Sequence, residues 1–228
     1  MSGLPVMPHK DVLLETLELE DRRILDIGCG DGKLVRMMAH RGAEAVGLEP
    51  SQERLKACRA AESLPGASYV EGGGESLPFD SSEFDAVVIF NSLHHIPGEA
   101  MAACLAESAR VLRPGGELWV LEPIAEGPYF EVMRPVEDET EVRALAYAAL
   151  QNIGPAFSPI EERVYAAPSR YDDFENWVRE ILAVDPARAE MLAEVRSLVA
   201  GLFEQNAEKR ADGYHFAQPS RLMRFRRV

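Results

Sequence analysis

A glycine-rich turn follows a short apolar segment near the start of the chain. The segment runs from Arg22 to Ile27, and the turn that follows carries Gly28, Gly30 and Gly32. Glycine lets the backbone turn sharply and lets a ligand approach it closely, where a Cβ would collide. The turn also leaves free N–H groups at the start of the next predicted helix, and these favour a polar or negatively charged ligand group. The run therefore predicts a strand, a turn and a helix that bind a nucleotide-type cofactor.

An acid precedes the first glycine by two positions. A dinucleotide-binding turn reads G-x-G-x-x-G, whereas here Asp26 precedes Gly28 and glycine recurs at every second position. A carboxylate suits a cationic ligand better than a pyrophosphate. S-adenosylmethionine carries an ammonium and a sulfonium group and no phosphate, so Asp26 favours it over NAD. The run resembles the first motif of class I S-adenosylmethionine-dependent methyltransferases.

A second apolar segment ends in Glu49 and Pro50, about 20 residues after the glycine turn. In α/β nucleotide-binding folds an acid at this spacing holds a ribose, so Glu49 is the predicted ligand of the ribose diol. A second interpretation is local, since Ser51 is a good N-cap for a helix predicted to run to about residue 61. Both roles are compatible.

Two further segments strengthen the resemblance. They are Tyr69 to Phe79, which contains three consecutive glycines, and Phe84 to Ile96, which ends near two histidines. Together they are similar to the motifs of the small-molecule branch that includes ubiquinone and menaquinone biosynthesis methyltransferases. That branch usually has an aspartate that receives the adenine amino group where this chain has Gly73. Adenine recognition would then depend on backbone groups, on Glu75 or on water, and a lost charged hydrogen bond costs about 1.5 to 3 kcal/mol.

A Pro-Gly-Gly segment at 114–116 reads as a turn between a helix end and a fifth strand, and it is similar to the L-x-P-G-G signature of the same family. The resemblance spans roughly Arg22 to Glu122. It implies an α/β fold: a Rossmann-like, seven-stranded, mostly parallel sheet with helices on both faces, a C-terminal antiparallel strand and a helical insertion before the last strand.

The alternation of elements agrees with that fold. Strands are predicted near 23–27, 45–49, 67–71, 84–90 and 116–122, and helices near 32–41, 51–62 and 98–112. Ligands of such sheets bind at the carboxyl ends of the strands. The predicted cofactor-binding residues converge on that edge: Asp26, Gly28, Cys29, Gly30, Gly32, Glu49, Pro50, Gly73, Gly74, Glu75 and Asn91.

We expect a single domain over residues 1–228. It would comprise an N-terminal helical cap at 1–21, with a helix from His9 to Glu20 that closes over the cofactor, a cofactor-binding core at 22–122 and a substrate side at 123–228. In the last part we predict a loop at 124–136, a helix at 137–152, a strand at 162–166, helices at 171–183 and 186–208, and a strand at 221–227.

Candidate catalytic groups follow the fourth and fifth strands. Methyl transfer needs alignment of the acceptor and exclusion of water, and a general base only when the acceptor is protonated. His95 and His94 are the candidate bases, and the alternative is that they pack and form hydrogen bonds in the wall of the ligand-binding crevice. Glu122 would orient an acceptor or, equally, cap a neighbouring backbone N–H. Tyr129, Arg134 and Tyr147 are candidate substrate residues, although helical packing explains Tyr147 as well.

Composition limits the partners that the chain can have. With 38 acidic against 24 basic residues the net charge is −14, which argues against a nucleic-acid substrate. The arginines at 221–227 alternate with apolar residues and predict a solvated strand face. We expect a cytoplasmic protein with no membrane span, and a homodimer is an arrangement that the sequence leaves open. We expect no disulfide and no metal, since the three cysteines lack ligand spacing and the acids at 137–141 suit a helix start.

The sequence thus predicts a methyltransferase that moves the methyl group of S-adenosylmethionine to the O, C or N atom of a small organic acceptor. Gly73 leaves open a non-catalytic S-adenosylmethionine-binding module or partner subunit. An aminopropyl transferase would have an acid after the fourth strand, where this chain has Asn91 and Ser92. Asp26 and the glycine spacing speak against an NAD-dependent dehydrogenase.

Overall fold

An eight-stranded sheet runs through the computed structural model, which describes residues 3–61 and 64–228. The strands are β1 Arg23–Ile27, β2 Glu44–Glu49, β3 Ala67–Glu71, β4 Phe84–Phe90, β5 Leu112–Pro123, β6 Phe157–Tyr171, β7 Glu208–Arg210 and β8 Gly213–Arg227. The helices are α1 His9–Leu14, α2 Lys33–Ala39, α3 Gln52–Ala60, α4 Gly98–Val111, α5 Pro128–Met133, α6 Thr140–Gln151, α7 Phe174–Val184 and α8 Arg188–Asn206. A short 3-10 helix, Leu93–His95, follows β4.

The strand order is β3-β2-β1-β4-β5-β8-β6, and β7 pairs with β8. Strands β1 to β5 are parallel, whereas β7 and β8 are antiparallel. The order reverses beside β1, because β2 and β3 lie on one side of it and β4 and β5 on the other. The crevice at which such sheets bind ligands is therefore expected at the carboxyl ends of β1 and β4.

The predicted α/β fold is confirmed, including the helical insertion, which is formed by α7 and α8. The sheet has one strand more than predicted. That strand, β7, has only three residues, all exposed, and its Glu-Lys-Arg sequence carries no apolar alternation that predicts a strand. The last residue predicted for the helix over 51–62 lies outside the described residues.

Several predicted boundaries were wrong. The first helix ends at Leu14 rather than Glu20, and the buried Leu17 and Leu19 follow it without helical spacing. The predicted loop at 124–136 contains α5. The Pro-Gly-Gly segment lies inside β5, where the register with β4 shifts between Phe84 and Ala86, so it forms a bulge rather than a separate turn.

The chain folds as two compact units. The larger unit comprises residues 14–122, 144–163 and 221–228, and its core packs the parallel strands against α4 and part of α6. The strands of such a core read as nearly continuous apolar runs because helices cover both faces of a parallel sheet. Buried members of this core include Leu25, Ile27, Leu48, Val87, Ile89, Leu105, Val120 and Leu150.

The smaller unit comprises residues 3–13, 123–143 and 164–220 of the described chain. Its core is mainly aromatic, with Trp177 and Phe203 fully buried between α7 and α8 and packed with Tyr171 and Phe216. Such rings contribute large buried areas and pair edge to face. Across residues 3–61 and 64–228, none of the helices combines the length and the apolar composition needed to cross a membrane.

The arginines near the C-terminus do not form the solvated strand face that was predicted. Arg224 lies between Glu117 and Glu161, and Arg226 also reaches Glu117. Burial acts to raise the pKa of Glu117, but its hydrogen bonds to Arg226 and Arg224 outweigh that effect and lower it. These ion pairs join β8 to β5 and β6 within the larger unit, so the basic cluster is neutralised by neighbouring acids.

Candidate functional site

The glycine turn is fixed to the strands on both sides of β1. The amides of Gly28 and Cys29 both donate to the Leu48 carbonyl in β2, at 2.8 and 3.0 Å. Gly28 has a φ of 76°, and a Cβ built on it would lie 2.6 Å from the Cβ of Ser92. Because the backbone and the neighbouring loop both exclude a side chain, position 28 requires glycine.

Glu49 links the turn to the start of α3. Its side chain is buried, and Oε2 accepts a hydrogen bond from the Gly30 amide at 2.9 Å while Oε1 accepts one from the Ser51 amide at 3.0 Å. Each carboxylate oxygen can accept a second hydrogen bond, so the acid keeps acceptor capacity for a ribose diol. Ser51 also caps α3 through the Arg54 amide, so the local role that the sequence suggested is present too.

Asp26 is a buried acid with an unsatisfied oxygen. Its side chain is only 2% exposed, and Oδ1 has no hydrogen-bond partner among the described residues. Burial and the nearby charge of Glu49 raise the pKa of Asp26 to about 7. An unpaired buried carboxylate is costly, and a cationic ligand group would relieve that cost.

Asn91 supplies a second unsatisfied acceptor at the same edge. It lies just beyond β4, has a φ of 50°, and donates its amide to the Leu121 carbonyl at 2.8 Å. Its buried Oδ1 has no partner within the described part of the chain. Strands β1 and β4 are neighbours, so Asp26, the last residue but one of β1, and Asn91, which follows β4, place two acceptors without donors at the same edge. Buried polar atoms are normally paired, so each exception calls for an explanation, and a donor group of a ligand at this edge would supply one.

The other predicted cofactor residues differ in what they offer. The Cys29 thiol packs against Gly47, and burial raises its pKa. The backbone of Gly30 accepts a hydrogen bond from the Cys58 thiol at 3.2 Å. Pro50 is exposed beside Glu49, and Gly32 has a φ of 73° at the start of α2.

In the three-glycine segment after β3, the Glu75 carboxylate lies close to the backbone at position 73. Gly74 is buried, and a Cβ there would lie 2.9 Å from the Cys104 sulfur. A Cβ on Gly73 would instead lie 2.5 Å from both carboxylate oxygens of Glu75. The place that a side chain at position 73 would take is therefore filled by the end of the Glu75 side chain.

Glu122 organises the segment after β4. One of its oxygens accepts hydrogen bonds from the amides of Ser92 and Leu93, at 3.1 and 2.9 Å, and the other contacts His94 Nδ1. A carboxylate only accepts, so Nδ1 carries the proton that it donates. The capping role expected of Glu122 is present, and both of its oxygens serve the 3-10 helix.

The two histidines have different surroundings. His94 is 4% exposed, whereas His95 is exposed to solvent, and their ring centroids are 4.1 Å apart. The His95 side chain therefore reaches solvent, whereas His94 is buried. Ser92, which the sequence reasoning did not assign, ties this segment to β1 because its hydroxyl donates to the Ile27 carbonyl at 2.6 Å. The one sequence feature that could have indicated this role is the position of Ser92 directly after Asn91, at the end of a predicted strand.

The candidate substrate residues all have structural partners. In the larger unit, the Tyr147 ring lies 3.6 Å from the Arg221 guanidinium and its hydroxyl donates to Glu162 at 3.1 Å. In the smaller unit, Tyr129 stacks on Tyr171, and burial raises its pKa. Arg134 is exposed and pairs with Glu131 at 3.0 Å.

The acidic run at 137–141 leads into α6, with three acids before the helix and Glu141 in its first turn. Glu137 pairs with Arg188 at 2.7 Å, and Glu139 pairs with Arg143 one turn further along the helix. Asp138 accepts hydrogen bonds from the amide and hydroxyl of Thr140, at 3.0 and 2.6 Å. These acids therefore have partners within the smaller unit.

Comparisons with known proteins agree with this geometry. A family described as a methyltransferase domain matches residues 25–120. The ubiquinone biosynthesis O-methyltransferase of Alkalilimnicola ehrlichii is 42% identical over 105 residues, which is 44% of this chain and 41% of that protein. The fatty-acid O-methyltransferase of Mycolicibacterium smegmatis is 37% identical over 101 residues, 43% of this chain and 36% of that protein.

A solved structure extends the similarity in fold. The S-adenosylmethionine-dependent methyltransferase from Mesorhizobium loti superposes with a TM-score of 0.55 at 19% identity, covering 95% of this chain and 96% of the other. The chain spans less than half the length of the curated relatives it matches.

The residues present suit S-adenosylmethionine. Asp26 is a buried acid without a donor, Asn91 adds an unpaired acceptor, and Glu49 keeps free lone pairs at the end of β2. These groups would hold an ammonium group and a ribose diol, and none of them would favour a phosphate.

Proposed function

We propose that this chain, whose residues 25–120 belong to the class I S-adenosylmethionine-dependent methyltransferases, methylates a hydroxyl oxygen of a small organic acceptor. The observation that carries the proposal is the arrangement of Glu122, His94 and His95 at the carboxyl ends of β4 and β5. When bound, S-adenosylmethionine supplies a methyl group activated by the positive charge on sulfur.

Asp26, Glu49 and Asn91 serve to bind and align the cofactor. Asp26 pairs with the ammonium group, because its buried oxygen lacks a donor and its charge is unfavourable without a cation. Glu49 receives the ribose hydroxyls on the lone pairs that the Gly30 and Ser51 amides leave free. Holding the methyl donor in one orientation is the main catalytic contribution such a site makes.

His95 acts as the general base. The imidazole would take the proton of the acceptor hydroxyl as that oxygen is methylated, with S-adenosylhomocysteine as the leaving group. His94 is a positioning residue, because Glu122 fixes its ring and that ring packs against His95. Glu122 is also a positioning residue, because it binds the backbone amides at the start of the 3-10 helix that carries both histidines.

The presence of an imidazole that can act as a base supports an oxygen acceptor. A base is needed when the acceptor is protonated at working pH, as a phenol or an enol is, and an imidazole suits that task. The two curated relatives described above are both named as O-methyltransferases. Phenols and phenolic quinone precursors are therefore the first acceptors to assay, and a fatty acid, whose carboxylate needs no base, is the comparison.

The first experiment separates cofactor binding from turnover. Calorimetric titration of S-adenosylmethionine and S-adenosylhomocysteine into wild type and Asp26→Ala should give micromolar binding that the variant loses. Formation of S-adenosylhomocysteine is then measured with each acceptor class. Binding without turnover for any acceptor would replace the proposal with a non-catalytic binding module, and no binding at all would refute the cofactor site.

The second experiment tests the base. His95→Gln should lower kcat by about 10² to 10⁴-fold and remove the fall in kcat at acidic pH, with cofactor affinity unchanged within about twofold. His40→Gln is the matched control, since His40 is an exposed histidine at the end of α2. An unchanged pH profile in His95→Gln would exclude His95 as the base.

A further inference from the structure

The three glycines after β3 are required for different reasons. A Cβ on Gly72 would lie 2.9 Å from the Leu48 side chain, and a Cβ on Gly74 would meet Cys104, so core packing restricts both positions. Gly73 is different, because the nearest atoms to its Cβ position all belong to the Glu75 side chain. Its φ is also outside the positive range that favours glycine. The backbone at position 73 would therefore accept a side chain if the Glu75 carboxylate moved away.

The strand order indicates what this carboxylate faces. Going along the sheet from β4 through β1 and β2 to β3, the carboxyl ends carry Asn91, Asp26, Glu49 and then the segment 72–75. A ligand whose ammonium group pairs with Asp26 and whose ribose binds Glu49 has its base next along this edge. The segment 72–75 follows β3, the strand beside β2, so its groups are the ones that an adenine would meet.

Two acids lie near this position, Glu71 and Glu75, and they differ in whether their carboxylates already accept a hydrogen bond. Adenine presents an exocyclic amino group with two N–H donors, for which a carboxylate is a strong acceptor because it only accepts. Glu71, the last residue of β3, already accepts a hydrogen bond from Gln52 at 3.1 Å. The Glu75 carboxylate accepts none from the residues that the structure describes, and it is exposed to solvent.

We propose that Glu75 receives the adenine amino group, and that Gly73 is present because its missing side chain makes room for the Glu75 carboxylate. Positions 73 and 75 are then coupled, so that one carboxylate reaches the same place from either position. This inference rests on the proposed binding of S-adenosylmethionine at the site.

The test compares two ligands that differ at the base alone. S-adenosylhomocysteine carries the 6-amino group, whereas S-inosylhomocysteine carries a 6-oxo group that would face the carboxylate with another acceptor. Calorimetric titration of the full chain should show that wild type prefers the adenine ligand by tenfold or more. In Glu75→Ala the preference should fall to about twofold, through weaker binding of the adenine ligand.

Two further variants make the result specific. Glu71→Ala removes a carboxylate from the end of the same strand and should keep the wild-type preference. The double variant Gly73→Asp with Glu75→Ala should restore it, because a carboxylate returns to the vacated place. Circular dichroism and thermal melting check that each variant is folded.

The outcomes distinguish this inference from the function on which it rests. Adenine preference that persists in Glu75→Ala, with binding intact, would overturn the role of Glu75 and leave the cofactor site standing. Loss of preference in Glu71→Ala to the same degree would also overturn it. Failure of wild type to bind S-adenosylhomocysteine would overturn the inference and the proposed function together.

Discussion

Replacing Asp26 by asparagine should stabilise the ligand-free protein at neutral and alkaline pH while removing cofactor binding. The side chain is almost fully buried, Oδ1 lacks a donor, and burial together with the charge of Glu49 raises the pKa of Asp26 to about 7. The ionised acid is therefore a source of instability in the folded state. Asparagine has nearly the same shape and carries no charge at any pH.

The sign and size follow from proton linkage. In the unfolded chain Asp26 ionises near the ordinary aspartate pKa of 3.8, and in the folded protein near 7, so the folded state holds the extra proton between these values. Wild-type stability therefore falls as pH rises through this window, by about 1.4 kcal/mol per pH unit and about 4 kcal/mol in all. That loss is complete above pH 7. The asparagine variant lacks this contribution.

The amide introduced by Asp26→Asn has its own cost. An unpaired buried amide destabilises by about 1 to 3 kcal/mol, which leaves a net gain of about 2 kcal/mol above pH 7. For a chain of this length the gain corresponds to a Tm increase of about 4 to 8 °C. At pH 4, where the folded acid is protonated, the variant should be the less stable protein. The two stability curves should cross between about pH 5 and 6.

Thermal melting of both proteins without ligand, from pH 4 to 9, measures this difference directly. Asp85→Asn is the matched control at the opposite end of the strands. Burial acts to raise the pKa of Asp85, but hydrogen bonds from the Arg23 amide and the Arg113 side chain outweigh it and lower the pKa. The stability that Asp85 contributes is present above its unfolded pKa, so its loss should destabilise the protein at pH 8. A Tm difference between wild type and Asp26→Asn that does not change with pH would refute the reasoning.

Two further predictions concern the segments that shape the site. Gly28→Ala should lower the free energy of unfolding by about 2 to 4 kcal/mol and abolish cofactor binding, because the new Cβ would lie 2.6 Å from Ser92 Cβ. Gly30→Ala is the control: its φ is also positive, but the space around its Cβ position is open, so it should cost about 1 kcal/mol. Equal losses of stability in chemical denaturation would contradict the steric argument. Glu122→Gln should lower stability by about 1 to 3 kcal/mol and reduce kcat more than it changes cofactor affinity, since the charged acceptor of His94 is lost. Glu126→Gln, an exposed acid nearby in the sequence, is its control, and unaltered kcat in Glu122→Gln would contradict the positioning role.

The ends of the first four strands were predictable because each strand is a short apolar run bounded by glycine, proline or acidic residues. β1, β3 and β4 match their predicted bounds, and β2 differs by one residue at its start. Positions at the carboxyl edge follow from those bounds, so Asp26, Glu49 and Asn91 could be brought to one edge by sequence reasoning alone. Local patterns suffice here because parallel strands share one direction.

What the sequence did not predict depends on proximity between residues far apart in the chain. The sequence predicted that Glu122 could cap a backbone N–H but not that the capped amides are those of Ser92 and Leu93, about 30 residues away, because no spacing rule relates those positions. A second error was local. The segment containing α5 was predicted to be a loop because Gly127 and Pro128 are residues that usually interrupt a helix. Proline is tolerated at the first position of a helix, where its missing N–H would have no partner, and Pro128 occupies that position.

The cost carried by the site explains why its acids are arranged as they are. Asp26 and Glu49 end neighbouring strands, and the charge of Glu49 helps to raise the pKa of Asp26. Glu49 is compensated by two amides, whereas Asp26 is left without a donor for one oxygen. A cation that reaches Asp26 therefore gains both its own attraction and the removal of an existing penalty. Because the ligand-free protein bears that penalty, folding alone does not account for an acid at position 26, whereas the cationic ligand proposed for the end of β1 would account for it.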